Sequence, residues 1–259
     1  MTRLDILVSN QMGYSREMAK ELIKSGFVAV GGRIINRPGA KISEDMEIIV
    51  NSPDEIFVSR GGYKLRHGLK AFDISVSGLV CLDIGAAAGG FTDCLLRRGA
   101  VRVIAVDNGR GQLAARLCAD PRVVSLENTD IRNLHLDEAP DFAVCDVSFI
   151  PLARVIPAIS DLLTPGGGAI FLIKPQFEAG PGHINRRGIV TKMSTHCQVI
   201  AQVMENLVSN GLSPQNLDFS PITGGGGNIE YLVYTIKSAT HARLFDIDSI
   251  VKKAFSELR

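Results

Sequence analysis

Four aspartates punctuate the middle of this 259-residue sequence, each at or soon after an apolar run: Asp83 after VCL, Asp107 after VIAV, Asp130 beyond VVSL and ENT, and Asp146 after FAVC. Ligands of open α/β sheets bind outside the carboxyl ends of the strands, so acids at successive run ends can serve one ligand. The first run leads into Asp83-Ile84-Gly85-Ala86-Ala87-Ala88-Gly89-Gly90-Phe91-Thr92. Small residues there let a ligand approach the backbone. A dinucleotide fingerprint, G-x-G-x-x-G, needs glycine where Ala87 stands and seats a pyrophosphate on the following helix. Asp83, two residues before the first glycine, is unfavourable beside a phosphate but suits a cationic group such as the methionine end of S-adenosylmethionine. Gly85, Ala86, Gly89, Gly90 and Phe91 would then shape the turn, Asp107 accept the ribose hydroxyls and Asp130 the adenine amino group, with Asp146 at the same edge. Taken alone, Asp107 and Asp130 are equally well read as helix caps.

A lysine stands at the end of the next run. Lys174 closes 168–173 and is followed by a proline in FLIKPQFEAG. Desolvation and a neighbouring cation lower a lysine pKa and make it a base, whereas a neighbouring carboxylate acts the other way. The competing assignment is a structural ion pair with Asp146 or Glu178. The sequence around Asp146, CDVSFIP, is not the Asp/Asn-Pro-Pro-aromatic motif that holds a planar nitrogen, which disfavours methylation of a base nitrogen. Lys64 in SRGGYKL and Glu230 in GGGGNIEYL are, singly, ordinary surface residues.

These residues must be positioned by the alternation of elements that begins near residue 79. Runs 79–84, 101–106, 123–126, 142–147 and 168–173 read as strands, separated by helical FTDCLLRRG, GQLAARLC and PLARVIPAISDLL. A helix over STHCQVIAQVMENLVSNG and two late strands near LDFS and EYLVYTI follow. Continuous apolar strands between amphipathic helices predict a parallel sheet covered on both faces, an α/β Rossmann-like fold. The closing strands are too near each other for a helical crossover, so one is expected to be antiparallel.

Ahead of this stretch, LDILVSN and SREMAKELIKSG predict two short helices, the second capped by Ser15 and ending at Gly26. FVAVGGRIINRPGAKI predicts a hairpin turning at Gly31-Gly32, and EDMEIIV another strand. The expected boundaries are a small α+β domain at 1–52, a linker at 53–60 and the larger domain at 61–259.

The 28 Lys+Arg and 27 Asp+Glu nearly cancel, so any nucleic-acid surface must be local. No stretch approaches the roughly 20 apolar residues of a membrane span. The opening lacks a basic leader and an apolar core, so a cytoplasmic protein is expected. The five cysteines include no C-x-x-C pair and read as reduced core residues, with no metal site expected.

Lys64, Asp146, Lys174 and Glu230, in that order, resemble the K-D-K-E tetrad of the FtsJ-type ribose 2′-O-methyltransferases. SRGGYKL, DIGAAAGGFTDCLL, DVSFI, IKPQFEAG and GNIEYL are similar to the TlyA family, often labelled hemolysin A, and residues 3–42 resemble its S4-type RNA-binding domain. The resemblance implies an S-adenosylmethionine-dependent methyltransferase fold, mostly parallel with one antiparallel strand, acting on ribosomal RNA or ribosomal subunits, with cytidine as the target. It implies Lys174 as general base, Asp146 orienting it, and Lys64 and Glu230 positioning the ribose. Ala86-Ala87-Ala88 and GGGGNIE depart from the commoner small-polar and Gly-Pro-containing turns, but no tetrad residue is lost.

RNA contacts are expected from Arg3, Arg16, Lys20 and Lys24, the last three at i, i+4 spacing, and from Arg60 and Arg66 beside Lys64. Arg186-Arg187, after the fifth strand, completes the set. With no Trp and four Tyr, the composition offers no obvious aromatic platform, which favours recognition of RNA shape. Two other classes remain: an RNA-binding assembly factor on a methyltransferase fold without turnover, and a cytolysin. The second is disfavoured by the absence of a spanning segment or strongly amphipathic basic helix.

Overall fold

Apolar β-branched runs separated by glycine turns pair into sheets here, and the computed structural model describes their placement for residues 1–51, 55–238 and 243–258. The chain divides into two units, Met1–Arg60 and Gly61–Arg259. Residues 53 and 54 of the expected linker lie outside the described residues.

In the N-terminal unit, β1 (Thr2–Arg3) leads into α1 (Leu4–Met12), which stops at Gly13 in the left-handed region. The second helix, α2 (Arg16–Lys24), starts where the Ser15 hydroxyl accepts the Met18 N–H at 3.2 Å. β2 (Val28–Val30) and β3 (Arg33–Ile34) form the expected hairpin. Gly31 and Gly32 between them have φ of 54° and 76°, as a two-residue type I′ turn requires. β4 (Lys41–Ile42) pairs with β1, and β5 (Ile48–Val50) with the other side of β2. Leu4, Val8, Leu22, Ile23 and Val28 are fully buried between helices and sheet.

The second unit opens with α3 (Gly61–Ala71), a helix that the Gly61-Gly62 start conceals in the sequence. There follow β6 (Val80–Ile84), α4 (Gly90–Arg97), β7 (Arg102–Val106), α5 (Ala115–Cys118) and β8 (Val123–Leu126). Next are β9 (Phe142–Cys145), α6 (Ile156–Leu162), β10 (Gly168–Ile173), α7 (Pro175–Glu178) and α8 (Met193–Ser209). β11 (Leu212–Phe219), β12 (Tyr231–Lys237) and α9 (Ile247–Leu258) close the chain. The strand order is β11-β12-β10-β9-β6-β7-β8, with β12 the antiparallel member, the Rossmann-like methyltransferase arrangement. Sequence order reverses between β6 and β9, the switch point at which open α/β sheets bind ligands.

Three of the expected elements differ in extent, and α3 and α9 were not expected. The helix expected from Gly111 begins only at Ala115, after glycines at 109 and 111. The helix expected over 151–163 breaks at Val155, because the Pro157 ring excludes the carbonyl four residues earlier. The strand expected near 217–220 begins at Leu212, with Pro214 tolerated on the sheet edge beside a bulge at Pro214/Asn216. Cys81, Cys94 and Cys145 are buried and Cys118 is exposed.

Asp5 organises the N-terminal unit electrostatically. Its side chain is fully buried and accepts Arg3 Nε at 2.9 Å and Arg16 Nε at 3.1 Å. The Arg3 hydrogen bond, helped by the charges of Arg16 and Arg3, holds this carboxyl below its ordinary value of 3.8 against the cost of burial. A carboxyl depressed in the fold stabilises above its unfolded pKa, and that stability is lost as pH falls through the folded value. The unit is therefore expected to lose stability below about pH 4. Asp5→Asn should lower Tm at pH 7 and flatten the decline from pH 5 to pH 3, which thermal melts across that range check.

Candidate active site

Strand register assembles the site. β9 and β10 run parallel with Cys145 opposite Phe171, so Asp146 and Lys174 leave the sheet at the same edge. β12 runs antiparallel to β10, Ile173 facing Tyr231, so the next step in register sets Lys174 beside Glu230. α3 adds Lys64 from its first turn.

Two ion pairs result. Lys64 Nζ lies 2.5 Å from Glu230 Oε2, both side chains buried. Lys174 Nζ lies 2.6 Å from Asp146 Oδ1 and donates to Ser148 Oγ at 2.8 Å. The alternative partner of Lys174, Glu178, instead accepts the Leu152 N–H at 2.8 Å. Gln176 Nε2 donates to Glu230 Oε1 at 2.9 Å, which ties the second half of the KPQF segment to the first pair. Gly224 also packs on Glu230, where a Cβ would overlap the carboxylate.

Beside the pairs, at the ends of β6, β7 and β9, lies a cleft of about 340 Å³, within the usual range for small-molecule sites. Of the residues expected to hold a nucleoside ligand, Gly85, Asp107, Asp130 and Asp146 line it, together with Ala87. Ala86, Gly89, Gly90 and Phe91 lie outside that lining. Phe91 is buried, and a Cβ on Gly89 would collide with Leu117 and Leu113, so these two pack the turn. Gly85, at φ 80°, lies so close to the neighbouring strand end that a Cβ would sit 2.7 Å from the Asp146 carbonyl.

Asp107 Oδ2 accepts the Ala87 N–H at 2.8 Å and Oδ1 the Gly109 N–H at 2.6 Å. A carboxylate offers about four acceptor sites, so capacity for two hydroxyls remains. Asp130 is differently engaged: it caps the turn at 131–133 through the Arg132 N–H and receives the Arg132 guanidinium on both oxygens. Its geometry is that of the cap rather than of an open acceptor for an amino group.

Asp83 is fully buried and does not line the cleft. Thr92 donates to its Oδ2 at 2.6 Å, while Oδ1 has no hydrogen-bond partner among the described residues. Burial pushes this carboxyl up to about 7; the Thr92 hydrogen bond opposes the rise and the charges of Asp146 and Asp107 add to it. Three carboxyls thus crowd one strand edge, a field that attracts a cation. The residues present fit S-adenosylmethionine, whose sulfonium and ammonium groups are positive.

Sequence reasoning missed an aromatic pair. Phe149, at φ 65° and 90% exposed, lines the cleft, and its ring centroid lies 4.9 Å from that of Phe177. A bulky residue held in the left-handed region and open to solvent is a feature of functional sites. Phe177 also faces Lys174 Nζ at 5.8 Å. The composition hid this pair because it arises from two residues 28 positions apart.

The expected RNA contacts are unevenly available. Arg3 and Arg16 are drawn onto Asp5, Lys24 pairs with Glu21 at 2.9 Å, and Lys20 is half-buried on α2. Arg60 is half-buried, and the Arg66 guanidinium lies 5.5 Å from the Tyr63 ring centroid. Arg186 and Arg187 are exposed.

Comparison with known proteins matches residues 57–237 to the FtsJ-like methyltransferase family and residues 2–48 to the S4 domain. The chain is 37% identical to the 16S/23S rRNA (cytidine-2′-O)-methyltransferase TlyA of Mycobacterium tuberculosis, covering 97% of this chain and 96% of that one. It is 38% identical to Hemolysin A of Brachyspira hyodysenteriae, over 90% of this chain and 99% of the relative. A solved structure from Streptococcus thermophilus, which carries a hemolysin label, superposes with a TM-score of 0.79 at 39% identity, covering 99% of this chain and 96% of that one. Among the described residues no helix is long and apolar enough to cross a membrane.

The raised Asp83 carboxyl has a measurable consequence. The unfolded chain gives up this proton near pH 4 and the folded chain near pH 7, so stability declines across that interval and stays low above it. Asp83→Asn keeps an acceptor for Thr92 and removes the decline. Its Tm should exceed that of the native chain by more at pH 8 than at pH 4, with weaker binding of S-adenosylmethionine by calorimetry. Equal Tm differences at both pH values would refute the assignment.

Proposed function

Because this chain belongs to the TlyA family of S-adenosylmethionine-dependent rRNA 2′-O-methyltransferases, we propose that its target is a cytidine ribose and that Lys64, Asp146, Lys174 and Glu230 carry the transfer. The observation that carries this reading is the meeting of a buried ion pair, Lys64–Glu230, with a half-buried one, Lys174–Asp146, at one edge of the sheet beside a cleft lined by carboxylates. An rRNA substrate makes the cytoplasm the place of the reaction.

The bound donor supplies a sulfonium-activated methyl group. The protein's share is to align the ribose 2′-oxygen with that methyl and to take the hydroxyl proton as the new O–C bond forms and the C–S bond breaks. Asp107 has acceptor capacity for the donor's ribose, and the crowded carboxyls of Asp83, Asp107 and Asp146 favour its positive charge. Lys174 receives the proton at Nζ. To do so its contacts with Ser148 and Asp146 must exchange as the nucleotide's hydroxyl arrives. Lys64 and Glu230, fixed on each other and on Gln176, position the ribose. Phe149 and Phe177 offer the cytosine ring an apolar face. Arg66, Arg186 and Arg187 are suited to phosphates, and the N-terminal unit to holding RNA, since phosphate contacts fix position without reading sequence.

Lys174→Ala is expected to lower methyl transfer to unmodified ribosomal subunits by about 10²- to 10⁴-fold and to leave donor affinity near native. Transfer of labelled methyl, with digestion to nucleosides to locate it on a 2′-oxygen, measures both the reaction and its target. Full transfer by the variant would eliminate Lys174 as base. Donor binding without transfer by the native chain would instead favour a ribosome assembly factor.

A further inference from the structure

The segment after β10 builds an arginine-tipped hairpin. Ile184 and Val190 bridge antiparallel, the Gly188 N–H donates to the Asn185 carbonyl at 2.9 Å, and Gly188 turns the chain at φ 71°. Asn185 Oδ1 accepts the N–H groups of Arg187 at 2.8 Å and Ile189 at 3.0 Å, which fixes the tip from within. Arg186 and Arg187 occupy the two central positions of this turn and are exposed. No acid occurs from 179 to 204, a stretch that also holds His183 and Lys192, so the tip is a local positive patch on a nearly neutral protein. Guanidiniums presented in this way match phosphate oxygens in geometry and charge.

The base of the hairpin is anchored with a completeness that a merely solvated loop does not need. Buried Asn228 uses its whole amide: Oδ1 accepts the Val190 N–H at 3.2 Å, and Nδ2 donates to the carbonyls of Gly188 at 3.0 Å and Gly225 at 3.2 Å. Those carbonyls can only accept, so the amide orientation is fixed by chemistry. Buried His196 takes the other side of the same residue, Nε2 donating to the Val190 carbonyl at 3.0 Å while Tyr231 O–H donates to Nδ1 at 2.9 Å. Asn228 and Tyr231 flank Glu230 in sequence. The hairpin and the Lys64–Glu230 pair therefore hang on one strand entry.

We propose that Asn228, backed by His196, is a positioning residue that holds the Arg186–Arg187 tip in fixed register with Glu230, so that the two guanidiniums grip the RNA phosphates flanking the target nucleotide. This rests on the methyl-transfer reading above, and it adds how the strand is registered against the tetrad. Backbone gripping by a preset tip lowers the ordering cost of binding, so untying the tip should weaken RNA binding even with both arginines present.

The test measures affinity of the full chain for an unmodified rRNA transcript, without donor, across a salt series. Arg186→Ala/Arg187→Ala is expected to weaken binding about tenfold and to make the slope of log K against log salt shallower by about 1 to 2, as loss of two phosphate contacts requires. Asn228→Ala should reproduce both changes, and adding it to the arginine pair should cost nothing further. Asn185→Ala, which unties the exposed tip without touching the core, should do the same and so covers a folding defect in Asn228→Ala. Donor affinity should stay native in all of them. An unchanged salt slope in Asn185→Ala and Asn228→Ala, or losses additive with the arginine pair, would overturn the proposal. Absence of methyl transfer by the native chain would sink the functional reading, while the binding arms still decide the hairpin.

Discussion

The antiparallel register of β12 against β10 holds Glu230 beside Lys174, and the organisation of the site follows from it. Side chains alternate between the two faces of a strand, so a slip of one residue would carry Glu230 away from Lys64 and Gln176 and leave a buried ammonium uncompensated. Such a slip is opposed by Tyr231 and Val233, which place their side chains in the core, and by Gly224, whose missing side chain leaves room for the Glu230 carboxylate. The parallel register of β9 with β10 does the same for Asp146. Two pairings, one of each sense, thus convert sheet geometry into an arrangement of four charges.

Charge is distributed unequally around that arrangement. The pairs Lys64–Glu230 and Lys174–Asp146 neutralise themselves, whereas Asp83 and Asp107 pair with no basic side chain among the described residues. Asp83 accordingly resists ionisation. Carboxylates thus line the cleft while exposed arginines stand on the hairpin. A net charge of +1 over the whole chain conceals this separation.

Much of this was legible in the sequence where local rules decide the outcome. The Gly31-Gly32 hairpin and the Ser15 cap depend on turn chemistry, and each is found where expected. What escaped depends on which side chains pair, near in sequence or far. Arg3 and Arg16 read as available cations, whereas both engage Asp5, two positions from the first and eleven from the second. Asp130 lines the cleft as expected of a ligand residue, but its pairing with Arg132, two positions on, is not read from the spacing. The Phe149–Phe177 pair and the Asn228 anchor are made by the ends of strands that meet only once the sheet exists. Lys64 and Glu230 belong to the same group: unremarkable singly, they came into view through resemblance to a family rather than through pattern.

The two outer strands of the large sheet are unlike its interior. β11 carries Pro214, which has no N–H to offer a further strand, and a bulge follows at once; the Arg243 N–H also takes the Pro214 carbonyl. β8, at the far side, is only four residues long. An interrupted edge and a short one both discourage strand addition from another chain. Polymerisation through sheet extension, a hazard for any open sheet at the concentrations of a growing cell, is therefore obstructed at both borders by backbone features that lie well away from the chemistry.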